Sequence, residues 1–407
     1  MEEYRNEAPA ADVAVIGGGV VGLGIAWEAA RAGRRVVVVD PAPGSGASFA
    51  AAGMLAAVSE YHYQEEDLLG LMLASARRWP EFASPLAVEA GYLRTPTLCL
   101  AADAADRQAL ADLRAVQEKH GLEVRSLTVR EARRLEPLLA PGISGAFEIA
   151  ADHQVDPRRL VAALLTRLGG ERLVRERARG LVWERGRVVG VRLADGSELR
   201  AAETIVANGL GARGLEGLPV PLPLRPVYGD ILRLRVPPSL RPLVTATVRG
   251  LVRGRPVYLV PREDGTVVIG ATQREDGSEA VSAGGVYELL RDAQALVPAV
   301  AELELYESTA RARPGTPDNA PLLGRVAARW APEGAADDDG DVPGLIVATG
   351  FFRHGVLLTP AAARVCHELL DGGTDERWDA FRPDRFMDDS RKPATIRDGR
   401  PASGRTA

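Results

Sequence analysis

Residues 12 to 40 constrain the fold more than any other stretch of this chain. They read Asp12-Val-Ala-Val-Ile16, then Gly17-Gly18-Gly19-Val20-Val21-Gly22-Leu23-Gly24, an alanine-rich run, and Arg35-Val-Val-Val-Val-Asp40. The pattern predicts a strand, a tight glycine turn, a helix and a second strand ending in an acid. Gly17 permits the sharp turn, Gly19 lets the backbone approach a pyrophosphate, and Gly22 lets the helix pack on the strand. The helix N-terminus presents unpaired N–H groups to the phosphates. Asp40 closes the second strand, where a carboxylate can bind ribose hydroxyls. A glycine turn in an ordinary βαβ unit leaves that acid unexplained. The motif predicts a dinucleotide site without separating FAD from NAD, and its place near the start of the chain favours FAD.

Length and charge narrow the class. A chain of 407 residues has room for two domains, and 46% apolar with 26% charged residues is the balance of a soluble globular protein. The formal net charge of -5 gives nucleic-acid binding no electrostatic support. Two cysteines, Cys99 and Cys366, are too few for a disulfide framework and suit a reducing cytoplasm. No leader pairs basic residues with an apolar run, and no apolar stretch reaches the roughly 18 residues of a membrane span. The five histidines and two cysteines lack metal-ligand spacing, so no metal is expected.

The remaining elements follow in order. Pro41 to Met54 is a loop of small residues, suited to close approach of backbone to a flat ligand. A helix is expected over 65–79, ended by Pro80 and Pro85, then a strand over 92–101 and a polar helix over 103–120. Thr128 with Glu131 forms a capping box. A strand over 143–149 precedes a helix that starts at Pro157. Strand signals recur over 172–177, 180–185, 187–193 and 203–208, and four more between 224 and 271 indicate an antiparallel sheet. A helix over 282–297, a strand over 302–312, a strand over 344–350 and a helix over 356–370 complete the pattern. The acidic stretch 331–343 reads as a solvated loop, and the residues after Met387 as a disordered tail. The fold class is therefore α/β. A Rossmann-type dinucleotide domain (10–85, 150–215 and 314–387) carries an inserted α+β domain (86–149 and 216–313) built on an antiparallel sheet, with 388–407 as the tail.

Four blocks together resemble the D-amino-acid-oxidase-like FAD oxidoreductases, and within them the glycine oxidases of thiamine biosynthesis. They are the Gly17–Gly24 fingerprint, Ser48-Phe-Ala-Ala-Ala-Gly-Met-Leu55, Arg313-Pro-Gly-Thr-Pro-Asp318, and Ala348-Thr-Gly-Phe-Phe-Arg-His-Gly-Val-Leu-Leu-Thr-Pro360. The likeness spans roughly residues 10 to 387, and the second and fourth blocks are its more specific parts. It implies FAD, with Val20 and Val21 at the pyrophosphate turn and Asp40 at the ribose. Ala47, Ser48, Ala52, Gly53 and Met54 would line the diphosphate and flavin, and Gly180 would touch the adenine through its main chain. Phe351, Phe352, Arg353, His354, Gly355, Val356 and Leu357 would wrap the redox end.

The resemblance also assigns the substrate. Arg313 would pair with its carboxylate through a planar fork, Tyr258 would add a hydroxyl, and Arg353 would be the third contact. The implied reaction is oxidative deamination of glycine by dioxygen, with the imine passed to thiazole assembly and no catalytic residue beyond the flavin. Sarcosine, D-amino acids, proline or a quinone acceptor are the neighbouring alternatives. A non-catalytic dinucleotide module is the reading from another class, and it would need no carboxylate clamp. The region before Pro314 holds no cysteine, so the FAD would be non-covalent. A homo-oligomer is also implied. Four departures stand out: Asp40 for a usual glutamate, Gln273 for a frequent methionine, His354 for asparagine, and Asn208-Gly-Leu-Gly for Gly-x-Trp-Ser.

Overall fold

The structure is a computed structural model that describes residues 11–63, 65–332, 340–373 and 376–387. The N-terminal leader, the C-terminal tail and most of the acidic stretch lie outside the described residues. The chain opens with β1 (Ala11–Ile16), α1 (Val20–Arg31) and β2 (Val36–Val39), as the glycine spacing predicts. A short helix α2 (Ala47–Ala50) and strand β3 (Met54–Leu55) follow.

Helix α3 (Glu66–Ala83) runs past Pro80, where a stop was expected. A proline inside a helix costs about 3 kcal/mol. Here it sits in the last turn, and Trp79 (1% exposed) and Phe82 (5%) flank it. Burying each such side chain contributes roughly 1.5–3 kcal/mol, which offsets the lost bond. Phe82 also meets Trp27 of α1 edge-on at 5.0 Å.

The chain continues through β4 (Thr97–Ala101), α4 (Ala104–Lys119), β5 (Arg125–Leu127), α5 (Val129–Leu135), β6 (Gly145–Ile149), β7 (His153–Gln154) and α6 (Pro157–Leu168). Strand β4 starts after Pro96, which has no N–H for a ladder. The Thr128–Glu131 capping box forms as expected. Strands β8 (Leu173–Val174), β9 (Ala178–Glu184), β10 (Arg187–Leu193) and β11 (Glu198–Val206) come next. Then follow β12 (Arg225–Arg235), β13 (Thr247–Val252), β14 (Arg255–Pro261), β15 (Thr266–Gly270), α7 (Ala283–Leu296) and β16 (Glu304–Gly315). The last elements are β17 (Leu322–Gly324), β18 (Leu345–Thr349) and α8 (Thr359–Leu370). Helix α8 begins three residues later than its apolar run suggests. Pro360 lacks an N–H and is tolerated only in the first turn, so the helix starts around it.

Two sheets carry these elements. The first has the order β17-β18-β11-β1-β2-β8, with the β9–β10 hairpin attached to β11. Strands β18, β11, β1, β2 and β8 run parallel. Helices α1, α3, α6 and α8 share one apolar core on it, which explains the uninterrupted valines of β2.

The second sheet has the order β16-β12-β15-β14-β13-β4-β6-β5. It is antiparallel except at one seam, where β4 runs parallel to β13. No turn joins those strands, so nothing local imposes on them the antiparallel sense that β12 to β15 adopt as expected. Alternate residues face α7: Leu232, Leu234, Val248, Leu259 and Ile269 share a core with Leu289, Ala293 and Leu296. The opposite face packs Ile231, Val260 and Val268 against Ala50 and Ala52, the loop after the fingerprint. That face holds the candidate site.

Candidate active site

The fingerprint glycines divide into two kinds. Gly17 has φ +115°, and a Cβ there would stand 2.5 Å from the Ala207 carbonyl oxygen; one on Gly22 would stand 2.0 Å from the Gly17 carbonyl oxygen. Both are required by the chain itself. A Cβ on Gly19 would meet only the Ser48 hydroxyl, at 3.3 Å, so its outer side is open to a ligand. Asp40 braces the turn: its carboxylate accepts the Gly18 N–H at 2.6 Å and the Ala42 N–H at 2.7 Å. Ser48 accepts the Val20 N–H at 3.0 Å. Gly19 provides no side-chain cap for α1 and the first turn carries no acid, so its positive end is left for an anion. Beside Gly17, the buried Asn208 Oδ1 has no hydrogen-bond partner.

The loop that holds Ala47, Ser48, Ala52, Gly53 and Met54 is fastened by arginines that sequence reading passed over. The Phe49 carbonyl accepts from Arg158 at 2.9 Å and from Arg233 at 3.0 Å, and Arg158 stacks 3.6 Å over the Phe49 ring. Hydrogen bonding from Arg158 holds the Glu307 carboxyl down at about 2, and Glu307 pairs with both arginines. Arg262 donates to the carbonyls of Ala52 and Val155. Burial pushes Arg262 down to about 10. Gly53, at φ +78°, passes so close that a Cβ would stand 1.9 Å from the Val155 carbonyl oxygen.

Residues 351–358 form the turn between β18 and α8. Phe352 holds φ +46°, a strained conformation for an aromatic residue, with its N–H on the Pro314 carbonyl at 2.9 Å. Gly355 abuts Val21 of α1, which brings this turn against the fingerprint. Phe351, Val356 and Leu357 are buried, and the Leu357 carbonyl accepts from Ser75 and Trp79. Arg353 is already engaged, since its guanidinium pairs with the buried Glu65 carboxylate.

His354 is buried with neither ring nitrogen hydrogen-bonded, 3.6 Å from Glu60. Burial, reinforced by Arg353, pushes it down to about 3 from 6.5. The unfolded chain therefore takes up a proton that the native state refuses, and stability falls as pH drops from about 6.5 toward about 3. In His354→Asn, the loss of Tm between about pH 7 and about pH 4 should shrink by a few degrees. An equal loss in both proteins would show that His354 is not its source.

Strand register then places these residues on one face of the second sheet: Arg313 stands opposite Val227, Ile231 opposite Gly270, Gly270 opposite Tyr258, and Tyr258 opposite Arg249. Cross-strand partners share a face, so these residues look toward the fingerprint loop. Two glycines make room for the long side chains. The Arg313 guanidinium lies over Gly229, where a Cβ would stand 2.4 Å from it, and the Tyr258 hydroxyl lies over Gly270, where a Cβ would stand 2.5 Å from it. Gly229 and Gly270 are diagonal neighbours, about 7–8 Å apart, so the guanidinium and the hydroxyl converge on a space one small anion can bridge. Burial pushes Tyr258 up to about 12, keeping it a donor.

Charges on this face cancel in pairs. Arg249 pairs with Glu60 at 2.5 Å, Arg233 with Glu307, and Arg262 with Asp156 at 3.7 Å. Half-buried Arg313 has no acidic partner among the described residues, and its guanidinium donates to the Thr272 carbonyl at 3.5 Å. Arg311, also without an acid, is exposed and donates to the Ser45 carbonyl.

Gly180 lies in β9 against Glu216, and the segment at the end of β2 is β8, whose Val174 carbonyl accepts the Asp40 N–H. The other residues expected at the dinucleotide cluster at the fingerprint, the 47–54 loop and the 351–357 turn.

These surroundings suit an FAD molecule. A helix N-terminus with no acid in its first turn suits a pyrophosphate, a glycine-lined groove suits a flat ring, and the orphaned Asn208 and His354 atoms are polar groups that a ligand can satisfy. Among the described residues, no helix is long and apolar enough to cross a membrane.

Comparison with known proteins agrees. The family described as FAD dependent oxidoreductase (DAO) matches residues 12–369. The chain is 30% identical over 387 residues to the bifunctional protein ThiO/ThiG of Trichormus variabilis, covering 92% of this chain and 55% of that protein. It thus spans about half the length of the bifunctional relatives it matches. It is 32% identical over 381 residues to the glycine oxidase of Geobacillus kaustophilus, covering 88% of this chain and 93% of the relative. The crystal structure of glycine oxidase from that organism aligns with a TM-score of 0.81 at 30% identity, over 93% of this chain and 99% of the other. The chain belongs to the FAD dependent oxidoreductase family, and its cofactor is FAD.

Proposed function

We propose that this protein oxidises glycine, or a similarly small amino acid such as sarcosine or a small D-amino acid, with dioxygen as the acceptor. The observation that carries the reading is Arg313, the half-buried guanidinium that lies over Gly229, beside the Tyr258 hydroxyl over Gly270, without an acid of its own among the described residues. Arg313 clamps the substrate carboxylate through two charge-assisted hydrogen bonds, and Tyr258 donates a third. That fixes the α-carbon against the loop of Ala52, Gly53 and Met54 and the turn 351–357, which hold the cofactor with Gly17, Gly19, Gly22 and Asp40. Bound FAD supplies the two-electron acceptor that a protein side chain cannot provide.

The side chains supply position and charge. Tyr258 stays protonated, and His354 stays neutral beside Glu60. Arg353, held by Glu65, fastens the cofactor turn more than it binds substrate. Overall, the amine gives up two electrons and two protons to dioxygen, forming an imine and hydrogen peroxide. Water converts the imine to glyoxylate and ammonia. Thiazole formation in thiamine biosynthesis would consume the imine, as the likeness to the thiamine-pathway glycine oxidases suggests. In this division of labour residues 10–85, 150–215 and 314–387 carry FAD, and 86–149 with 216–313 carry the substrate.

Peroxide release by the FAD-loaded protein across glycine, sarcosine, D-alanine and L-proline tests the reading. The highest kcat/KM is expected among glycine, sarcosine and D-alanine. Reduction of a quinone dye without peroxide release would move the assignment to a dehydrogenase. Bound FAD with no turnover of any amine would leave a non-catalytic module.

A further inference from the structure

The face of the second sheet that carries Arg313 and Tyr258 holds a second guanidinium, two strands beyond Gly270. Arg249 stands opposite Tyr258 on the next strand, about 4.8 Å away, and on the same face. It is the neighbour of Tyr258 on the side away from Arg313. It reaches toward the cofactor loop, with Nη1 3.8 Å from the Met54 sulfur. Taken alone, Arg249 would give the cavity a second anion-binding group. Glu60 cancels it at 2.5 Å, both side chains being mostly buried.

Glu60 is not a surface acid that happened to fold inward. The two residues before it are pinned, with the Val58 and Ser59 N–H groups donating to the buried Asp152 carboxylate at 2.9 and 2.7 Å. Gln117 donates to the Val58 carbonyl at 2.9 Å. Asp152, bound by those N–H groups, acts on Arg249 only through its charge, whereas Glu60 pairs with it directly. With exposed Arg311 turned to the Ser45 carbonyl, the pair leaves Arg313 as the half-buried cation on the face without an acid among the described residues.

We propose that Glu60, by neutralising Arg249, confines the site to amines that carry a single carboxylate, and that amines with two carboxylates are excluded because the second anion-binding group is already filled. The inference rests on the reading of Arg313 and Tyr258 as the carboxylate clamp. Its physical basis is that a half-buried guanidinium without a counter-charge is costly and takes whatever anion can reach it. A substrate carboxylate can replace the Glu60 carboxylate only when the latter is gone. Specificity is then set by the charge already present as well as by the size of the cavity.

The test is Glu60→Gln in the FAD-loaded protein, with kcat/KM measured for glycine and for two amine diacids, iminodiacetate and D-aspartate. The ratio of diacid to glycine should rise at least tenfold, mostly through a lower KM for the diacid. Adding Arg249→Met to Glu60→Gln should return the ratio to the parent value. A ratio unchanged in Glu60→Gln, or a rise that survives the second substitution, overturns the proposal.

Should Glu60→Gln fail to fold, Arg249→Gln reads the same pair with the opposite sign. It leaves Glu60 as an unpaired anion, so glycolate, titrated by its effect on the flavin absorbance, should bind at least tenfold more weakly with FAD retained. Unchanged glycolate binding also overturns it. The clamp reading fails separately, if Arg313→Ala leaves glycolate binding intact. If the clamp stands and the diacid ratio does not move, only the role of Glu60 is wrong.

Discussion

Arg313→Ala is expected to lower kcat/KM for the small amino-acid substrate by roughly 30-fold to several-thousand-fold, chiefly by raising KM, while FAD stays bound. Removing one partner of a desolvated, hydrogen-bonded charge pair typically costs about 2–5 kcal/mol, and tenfold corresponds to about 1.4 kcal/mol. The upper part of that range is favoured because Arg249, Arg233 and Arg262, the other guanidiniums buried on this face, each already face an acid. Arg313→Lys should recover only part of the loss, since an ammonium cannot form the two-pronged contact. The measurement is steady-state peroxide release, with the flavin spectrum as the control for an intact cofactor site. A KM within twofold of the parent would remove Arg313 from the substrate site.

The second large effect separates glycines that a motif treats alike. Gly22→Ala would place a Cβ 2.0 Å from the Gly17 carbonyl oxygen, a backbone atom that cannot swing aside. The first turn of α1 must then shift, and the protein is expected to lose both its FAD and much of its Tm. Gly19→Ala meets only a rotatable hydroxyl at 3.3 Å. Its apoprotein should keep its Tm, and the damage should appear as FAD affinity weaker by on the order of tenfold or more, because the new methyl enters space that only the pyrophosphate needs. Fluorescence titration of the apoproteins with FAD, alongside thermal melts, distinguishes the two. Equal loss of Tm in both variants would show that Gly19 also serves the fold.

Most of what was legible in the sequence is local. The βαβ unit, the Thr128–Glu131 box, the start of α6 at Pro157 and the strand pattern of β12 to β15 depend on residues a few positions apart. Their stereochemistry can be read from spacing. The exceptions are instructive. Pro80 was expected to end a helix, and the packing of Trp79 and Phe82 carried the helix past it. The antiparallel run expected over 224–271 forms, and β4, from outside it, joins in parallel because no hairpin constrains it.

The chemistry-bearing arginines show the same division. Sequence by itself determined the βαβ unit over residues 12 to 40, and the likeness carried by four blocks of the chain gave FAD as the cofactor. It also singled out Tyr258 and Arg313. Only the tertiary structure decided which guanidinium is free. Glu60 pairs with a residue 189 positions away, and Glu65 with one 288 positions away. A glutamate in a loop and an arginine in a strand carry no local sign of each other. Glycine turns and helix caps are short-range stereochemistry, whereas ion pairing and cross-strand register exist only once distant strands have docked.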